Sequence, residues 1–139
     1  MYLLLSPIAI AFPSLKIGRT QSAAVKGVLT CNGKAASNVK VTLYDADSGL
    51  DVDDYMDKGI TDAEGRFLLK GHEVEIMNID PKLTIYHNCN NEHNACLKKL
   101  IVFIPDSFVS DGLVPKKTFD LGIVNLARNT RDEQQECIN

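Results

Sequence analysis

Three side chains of metal-binding type stand close together in the chain: Cys89, His93 and Cys96, in the spacing Cys-x3-His-x2-Cys. Thiolate sulfur and imidazole nitrogen are the usual ligands of structural zinc, which is held by four of them. We find no fourth ligand close by in the sequence. Oxidation of the cysteines to disulfides is the alternative, and we favour it because the chain has the features of an exported protein.

Acid–base catalysis would use His72, His87 or His93, the three histidines of the chain. None has a serine or cysteine nucleophile at a diagnostic spacing, and the motifs G-x-S-x-G and H-E-x-x-H do not occur. The carboxylates are crowded into one polar segment instead of standing singly in apolar strands. We therefore predict that the protein is not an enzyme, has no catalytic residue and requires no cofactor.

The crowded carboxylates lie in residues 45–64, where eight acids and one lysine give a charge of −7, against −3 for the whole chain. An EF-hand loop starting at Asp45 would need glycine at its sixth position and glutamate at its twelfth, where Leu50 and Met56 stand. We expect a solvated acidic loop. The alternative is a looser calcium site of the kind that docks anionic lipid. Its candidate ligands are Asp45, Asp47, Asp51, Asp53 and Asp54.

Two lysine doublets, Lys98-Lys99 and Lys116-Lys117, lie in or beside predicted strands. If they converge, they can meet anionic phospholipid, with about 1 kcal/mol per cation near a charged membrane surface. The simpler interpretation is that they are solvated lysines that discourage strand pairing. Nucleic acid is not an expected partner, because the isoelectric point is near 5.5 and basic and aromatic residues do not interleave.

Residues 97–104 (LKKLIVFI) are predicted to form a strand with apolar side chains on both faces. If alternate residues from Leu100 to Ile104 point inward, then Ile101 and Phe103 point outward. Such a face is covered by a loop over a central strand, or by a partner or a second copy of the chain as a homodimer. The candidate lipid or partner surface is therefore Lys98, Lys99, Lys116, Lys117, Ile101 and Phe103.

Residues 3–12 (LLLSPIAIAF) form an apolar run that is too short to span a bilayer but suits the core of a signal peptide, a core strand being the alternative. We predict a signal peptide over residues 1–18, one domain over residues 19–139, and a secreted, extracellular protein. The cysteines of the domain are even in number, which predicts two disulfides. Of the three connectivities we favour Cys31–Cys137 with Cys89–Cys96.

The elements that position these residues are short strands separated by turns. The clearest has Val39, Val41 and Leu43 alternating with polar neighbours, the period of a half-buried strand. A short helical turn is considered for residues 71–78. The pattern predicts an all-β sandwich or barrel of about seven strands with little helix. The other predicted strands are residues 25–31, 66–70, 82–87, 97–104 and 118–126.

Several of these segments together resemble the nematode transthyretin-like proteins. Residues 27–34 (GVLTCNGK) and 39–45 (VKVTLYD) are similar to the opening of that family, and residues 61–67 and 78–89 to its centre. The end of the chain is similar as well, and the cysteines fall where the family places them. The segments that carry the end are residues 104–106, 117–120 and 137–139.

The resemblance implies a prealbumin-like β-sandwich and a secreted protein. The best-understood members are bridging molecules, which bind phosphatidylserine on a dying cell and an engulfment receptor on a phagocyte. We carry over both expected partners, anionic phospholipid and a cell-surface receptor, without lipid-contact residues, which no motif assigns. An extracellular carrier of small apolar ligands is the alternative. The related hydroxyisourate hydrolases end in Tyr-Arg-Gly-Ser, and this chain ends in Glu-Cys-Ile-Asn. We therefore do not expect that hydrolase activity.

Overall fold

The computed structural model describes residues 18–46, 53–93, 96–128 and 133–137, the last of these by their backbone alone. Gly18 opens the described fold with a bend, and the first strand begins at the next residue. Residues 1–17, which hold nearly all of the predicted signal peptide, lie outside this part of the chain. The signal peptide therefore stays a prediction.

The described residues form strands almost throughout, with one short 3-10 helix at Asp106–Phe108. Turns with left-handed glycines, such as Gly33 and Gly65, separate several of them. The predicted all-β architecture with little helix is confirmed. The strands are β1 Arg19–Cys31, β2 Lys34–Ala35, β3 Lys40–Asp45, β4 Asp54–Ile60, β5 Arg66–Glu75, β6 Pro81–His87, β7 Cys96–Phe103, β8 Ser110–Asp111, β9 Thr118–Asn125 and β10 Glu133–Cys137.

The first sheet is built around β1. Strand β5 pairs with β1 in antiparallel fashion over ten residues, from Arg19 opposite Glu75 to Val28 opposite Arg66. Strands β2 and β8 add short antiparallel pairings, and β9 runs parallel to β1 from Ala24 opposite Thr118. Four strands therefore depend on β1 for their hydrogen bonds.

The second sheet has the strand order β10-β7-β6-β3-β4 and is antiparallel throughout. Its register sets Thr42 of β3 opposite Thr84 of β6, and Thr84 opposite Ile101 of β7. A bulge between Leu43 and Tyr44 shifts the pairing of β3 with β4. This register decides which side chains share the outer face of the sheet.

The core lies between the two sheets and is filled by alternate residues of their strands. Val25 and Leu29 of β1 are fully buried, and residues of β3, β5, β6 and β7 pack against them. Burying each such side chain contributes roughly 1.5–3 kcal/mol. As predicted for β7, Leu100 is buried and Val102 packs on the core. The remaining core residues are Val41, Leu43, Phe67, Leu69, Leu83, Ile85, Cys89, Ile104 and Leu126.

Two local predictions are wrong. Residues 54–60, expected to belong to a solvated acidic loop, form β4, which is held by antiparallel pairing with β3. Residues 71–75, considered for a helical turn, continue β5, because β1 offers them hydrogen-bonding partners as far as Glu75. In both places, pairing with a neighbouring strand decides the conformation: the preceding strand β3 for β4, and the distant strand β1 for residues 71–75.

The predicted cysteine pairing is also wrong. The structure has a disulfide between Cys31 and Cys89, with the Cα atoms 5.8 Å apart, and Cys96 is disulfide-bonded as well. Cys31 ends β1 in the first sheet, and Cys89 follows β6 in the second. The bond therefore joins the two sheets, which a local Cys89–Cys96 bridge would not do.

Candidate ligand-binding face

The outer face of the second sheet collects lysines and tyrosines from four neighbouring strands. Because strand residues alternate between the two faces, the residues on either side of core Val41, Leu43, Leu83 and Ile85 point away from the core. The register aligns these residues from strand to strand. We call this surface the lysine–tyrosine face. It consists of Lys40, Lys58, Lys82, Lys99, Tyr44, Tyr55, Tyr86, Thr42, Thr84, Ile60, Ile101 and Phe103.

The lysine–tyrosine face is positively charged on its described strands. The acids of these strands mostly point the other way: Asp45 alternates with the core residues of β3, and Asp57 stands opposite core Leu43. Among the described acidic side chains in or next to β3, β4, β6 and β7, Asp53 is the exception, and its Oδ2 lies 2.5 Å from Nζ of Lys82. Four lysines against this carboxylate leave an excess of cations, which favours anionic ligands.

Tyr86 is the aromatic centre of the face. The Nζ atoms of Lys40 and Lys99 lie 5.3 and 5.8 Å from the centre of its ring, within the range of cation–π attraction. Beside it, Tyr44 and Tyr55 pack edge to face with their ring centres 6.4 Å apart. Tyrosine and lysine both carry an apolar stem and a polar tip, as residues at membrane interfaces do.

A pocket of about 310 Å³ opens in the middle of this face. The hydroxyl of Thr84 is buried and has no hydrogen-bond partner within the described part of the chain. Leaving such a group unpaired costs about 1–3 kcal/mol, so the site carries an unmet donor and acceptor. The pocket is lined by Tyr44, Asp53, Lys82, Thr84, Tyr86 and Lys99.

The predicted surface residues are only partly brought together. Lys99, Ile101 and Phe103 share the lysine–tyrosine face, and Phe103 is 55% exposed. Lys98 points to the opposite side of β7, in register with His87. Ile101 and Phe103 point away from the space between the sheets, and the alternative of an apolar-ligand carrier stays a prediction.

Lys116 and Lys117 lie elsewhere, just before β9 of the first sheet. Nζ of Lys117 donates to the carbonyl oxygen of Ser107 at 3.3 Å and stands 5.9 Å from the ring centre of Phe108. The two predicted lysine doublets therefore do not converge, because one lies within β7 of the second sheet and the other lies just before β9 of the first.

Of the predicted calcium ligands within the described residues, the structure brings only Asp45 and Asp54 close together. Carboxylate oxygens of Asp45, Asp54 and Glu75 lie within 4.8 Å of one another, and Asp45 is buried and accepts a hydrogen bond from the amide of Asp80. Glu75 was not predicted, because it comes from β5 in the other sheet. Asp53 pairs with Lys82 instead. Asp47 and Asp51 lie outside the described residues.

Cys89 and Cys96 are both disulfide-bonded, so neither is a thiolate that can hold zinc. His87 is buried and its Nδ1 accepts a hydrogen bond from the amide of Cys89 at 3.1 Å. His72 and His93 are exposed on other elements, β5 and the turn after Cys89. Sulfur therefore has a structural role at this end of the sandwich.

Sequence reasoning missed Lys40, Lys58 and Lys82 and all three tyrosines of the face. Each stands at an outward position of a strand, and for β3 and β6 the alternation is visible in the sequence. What the sequence does not contain is the order of the strands. Without that order, single outward lysines on separate strands look like ordinary solvated residues.

Comparison with known proteins identifies the family to which this chain belongs. The family model described as the Transthyretin-like family matches residues 26–105, more than half of the chain. The chain belongs to the transthyretin-like family. Transthyretin-like protein 33 of Caenorhabditis elegans is 48% identical over 120 residues, covering 86% of this chain and 84% of its own length. Transthyretin-like protein 5 of the same organism is 46% identical, with 88% of each chain covered.

Transthyretin-like protein 2 of Caenorhabditis elegans is 42% identical over 128 residues, 88% of this chain. Membership in the transthyretin-like family and the disulfide indicate an extracellular protein. Within the described ranges, no helix has the length and apolarity to cross a bilayer. Among solved structures, a Cyanothece 9R-lipoxygenase matches 88% of this chain and 18% of its own, with 20% identity and a TM-score of 0.43, too distant to bear on function.

Proposed function

We propose that this transthyretin-like protein is a secreted adaptor that binds anionic phospholipid, phosphatidylserine in particular, and a cell-surface receptor. The observation that carries the lipid half is the lysine–tyrosine face. Its lysines other than Lys82, which pairs with Asp53, supply attraction to anionic head groups, at about 1 kcal/mol each near a charged membrane. Its tyrosines and the exposed Phe103 supply side chains suited to the membrane interface.

An adaptor needs a second surface, and the outer face of the first sheet supports this half of the proposal. Leu68 of β5 and Ile123 of β9 are 57% and 75% exposed. Ile123 stands opposite the partly buried Val28 of β1, and Leu68 stands opposite Lys26 of the same strand. This face points away from the lysine–tyrosine face, so a membrane on one sheet leaves the other open to a protein partner.

The lipid half is tested by sedimentation with vesicles of phosphatidylcholine alone and with added phosphatidylserine. We expect binding only with phosphatidylserine, and weaker binding in high salt, which screens exposed charges. The variant Lys40→Gln/Lys58→Gln removes two exposed cations of the face. It should bind about thirtyfold more weakly, since about 2 kcal/mol is lost.

The matched control is Lys26→Gln/Lys70→Gln, which removes two exposed lysines from the outer face of the first sheet. It should bind the vesicles as the natural protein does. Equal binding to phosphatidylcholine alone, or an equal loss in both variants, would contradict the proposal.

The same sedimentation experiment, repeated with a chelator, tests whether calcium takes part. The three carboxylates of Asp45, Asp54 and Glu75 offer the oxygen ligands that calcium prefers. If they take part in lipid binding, a chelator abolishes vesicle binding and Asp54→Asn weakens it. Binding that persists in chelator assigns the interaction to the lysines alone.

A further inference from the structure

We propose that the pocket in the lysine–tyrosine face is a binding site for one phosphate group, and that Asp53 competes with the phosphate for Lys82. The choice of a phosphate-bearing ligand rests on the proposed function, since phospholipid head groups carry a phosphate. The site itself is defined by its own lining residues, and it is tested apart from membranes.

The donors around the pocket suit a tetrahedral anion. Lys82 and Lys99 bring ammonium groups, Tyr44 brings a phenol, and the buried hydroxyl of Thr84 has no partner in the described chain. A phosphate accepts hydrogen bonds from several directions through its separate oxygens, and lysine binds it as a point charge. The volume of about 310 Å³ leaves room for more than a bare ion.

Asp53 is the one feature of the lining that opposes an anion. Its carboxylate holds Nζ of Lys82 at 2.5 Å, and both side chains are largely buried, with exposures of 27% and 17%. An incoming phosphate must displace the carboxylate of Asp53 from Lys82 and bind next to that negative charge. Because Thr84 is 99% buried, the side chains above it must also shift before its hydroxyl reaches the ligand.

The first probe is inorganic phosphate at constant ionic strength, followed by amide NMR shifts of residues 82–86. Saturable shifts are expected with phosphate and none with sodium chloride. Thr84→Val keeps the shape and removes the hydroxyl, so phosphate should bind roughly tenfold more weakly or worse. Asp53→Asn removes the competitor, and binding should tighten roughly fivefold or more.

Thr42→Val is the matched control. Thr42 stands opposite Thr84 on β3, is equally buried, and also has a hydroxyl without a partner in the described chain, but it does not line the pocket. It should leave phosphate binding unchanged. Chloride shifts of the same size, or equal losses in Thr84→Val and Thr42→Val, overturn the phosphate site.

Glycerophosphoserine and phosphatidylserine vesicles separate the two sources of phosphate. If a lipid head group is the ligand, Thr84→Val weakens phosphate, glycerophosphoserine and vesicle binding together. If phosphate binds and vesicles do not, the site stands, its ligand is a soluble phosphate compound, and the lipid proposal fails. If vesicles bind and phosphate gives no saturable shifts, the pocket proposal is wrong and the lipid proposal stands.

Discussion

The carboxylate of Asp62 organises the turn between β4 and β5. Its Oδ1 accepts hydrogen bonds from the amides of Arg66 and Glu64 at 2.8 and 3.0 Å, and its Oδ2 accepts one from Nε of Arg66 at 3.0 Å. The amide of Arg66, ahead of its guanidinium, lowers the pKa of Asp62 below the ordinary 3.8. Aspartate side chains in tight turns commonly accept hydrogen bonds from backbone amides of the same turn in this way.

Asp62 makes the stability of this turn depend on pH. Because its pKa is lowered on folding, the contribution is fully present above the ordinary pKa and is lost as the pH falls through the lower folded pKa. A carboxyl carbon NMR titration should show Asp62 titrating below 3.8. Arg66→Ala should raise this pKa only partway, since the amide remains. A midpoint at or above the ordinary value in the natural protein would contradict the assignment.

Gly65 ends the same turn, and its backbone admits no side chain. Its φ of +79° is in the left-handed region, and a Cβ there would lie 2.3 Å from the carbonyl oxygen of Leu29. The strain alone costs about 1–3 kcal/mol, and the clash adds to it. Gly65→Ala should therefore lower the free energy of unfolding measured in urea by at least that amount.

The control for this substitution is Gly33→Ala. Gly33 has a similar φ of +82°, but nothing lies within 4 Å of the position of its Cβ. Gly33→Ala should lower the free energy of unfolding only by the cost of the left-handed backbone conformation. Equal losses at Gly33 and Gly65 would mean that the approach to Leu29 has no cost.

At the level of the strand, the sequence is informative where one face is buried and regular. The predictions for residues 82–87 and 97–104 match β6 and β7 to within a residue, because apolar residues repeat with period two. Strand β4 was missed because acids and Gly59 hide its pattern. The lysine–tyrosine face was missed for a different reason, since it depends on which strands are neighbours, and a single sequence does not state this.

At the scale of the whole molecule, the described residues form two sheets, which are joined by the Cys31–Cys89 disulfide across a loop of 58 residues. By loop-closure entropy this bond stabilises the fold by about 4 kcal/mol. Cys31→Ser/Cys89→Ser should lower the free energy of unfolding by about that amount. An unchanged urea midpoint would mean that the two sheets hold together without it.

A peptide map made without reductant shows which cysteines are bonded to each other. Cleavage after Glu92 is required, because trypsin leaves Cys89 and Cys96 on one peptide. We expect the Cys31 peptide joined to the Cys89 peptide. Strand register sets Cys96 opposite Cys137, so these two should form the second bond. A peptide joining Cys31 to Cys137 would refute both assignments.

The dependence of four strands on β1 has a consequence for how the chain reaches its fold. Strand β1 is the first described strand, yet its parallel neighbour β9 lies more than ninety residues later, as the 94-residue separation of Thr30 and Val124 shows. Contacts between such distant segments slow folding, because the intervening chain must be brought to order first. During synthesis, β1 must wait for β9 with its backbone groups on that side unpaired, which leaves the nascent chain open to aggregation until its last quarter has emerged.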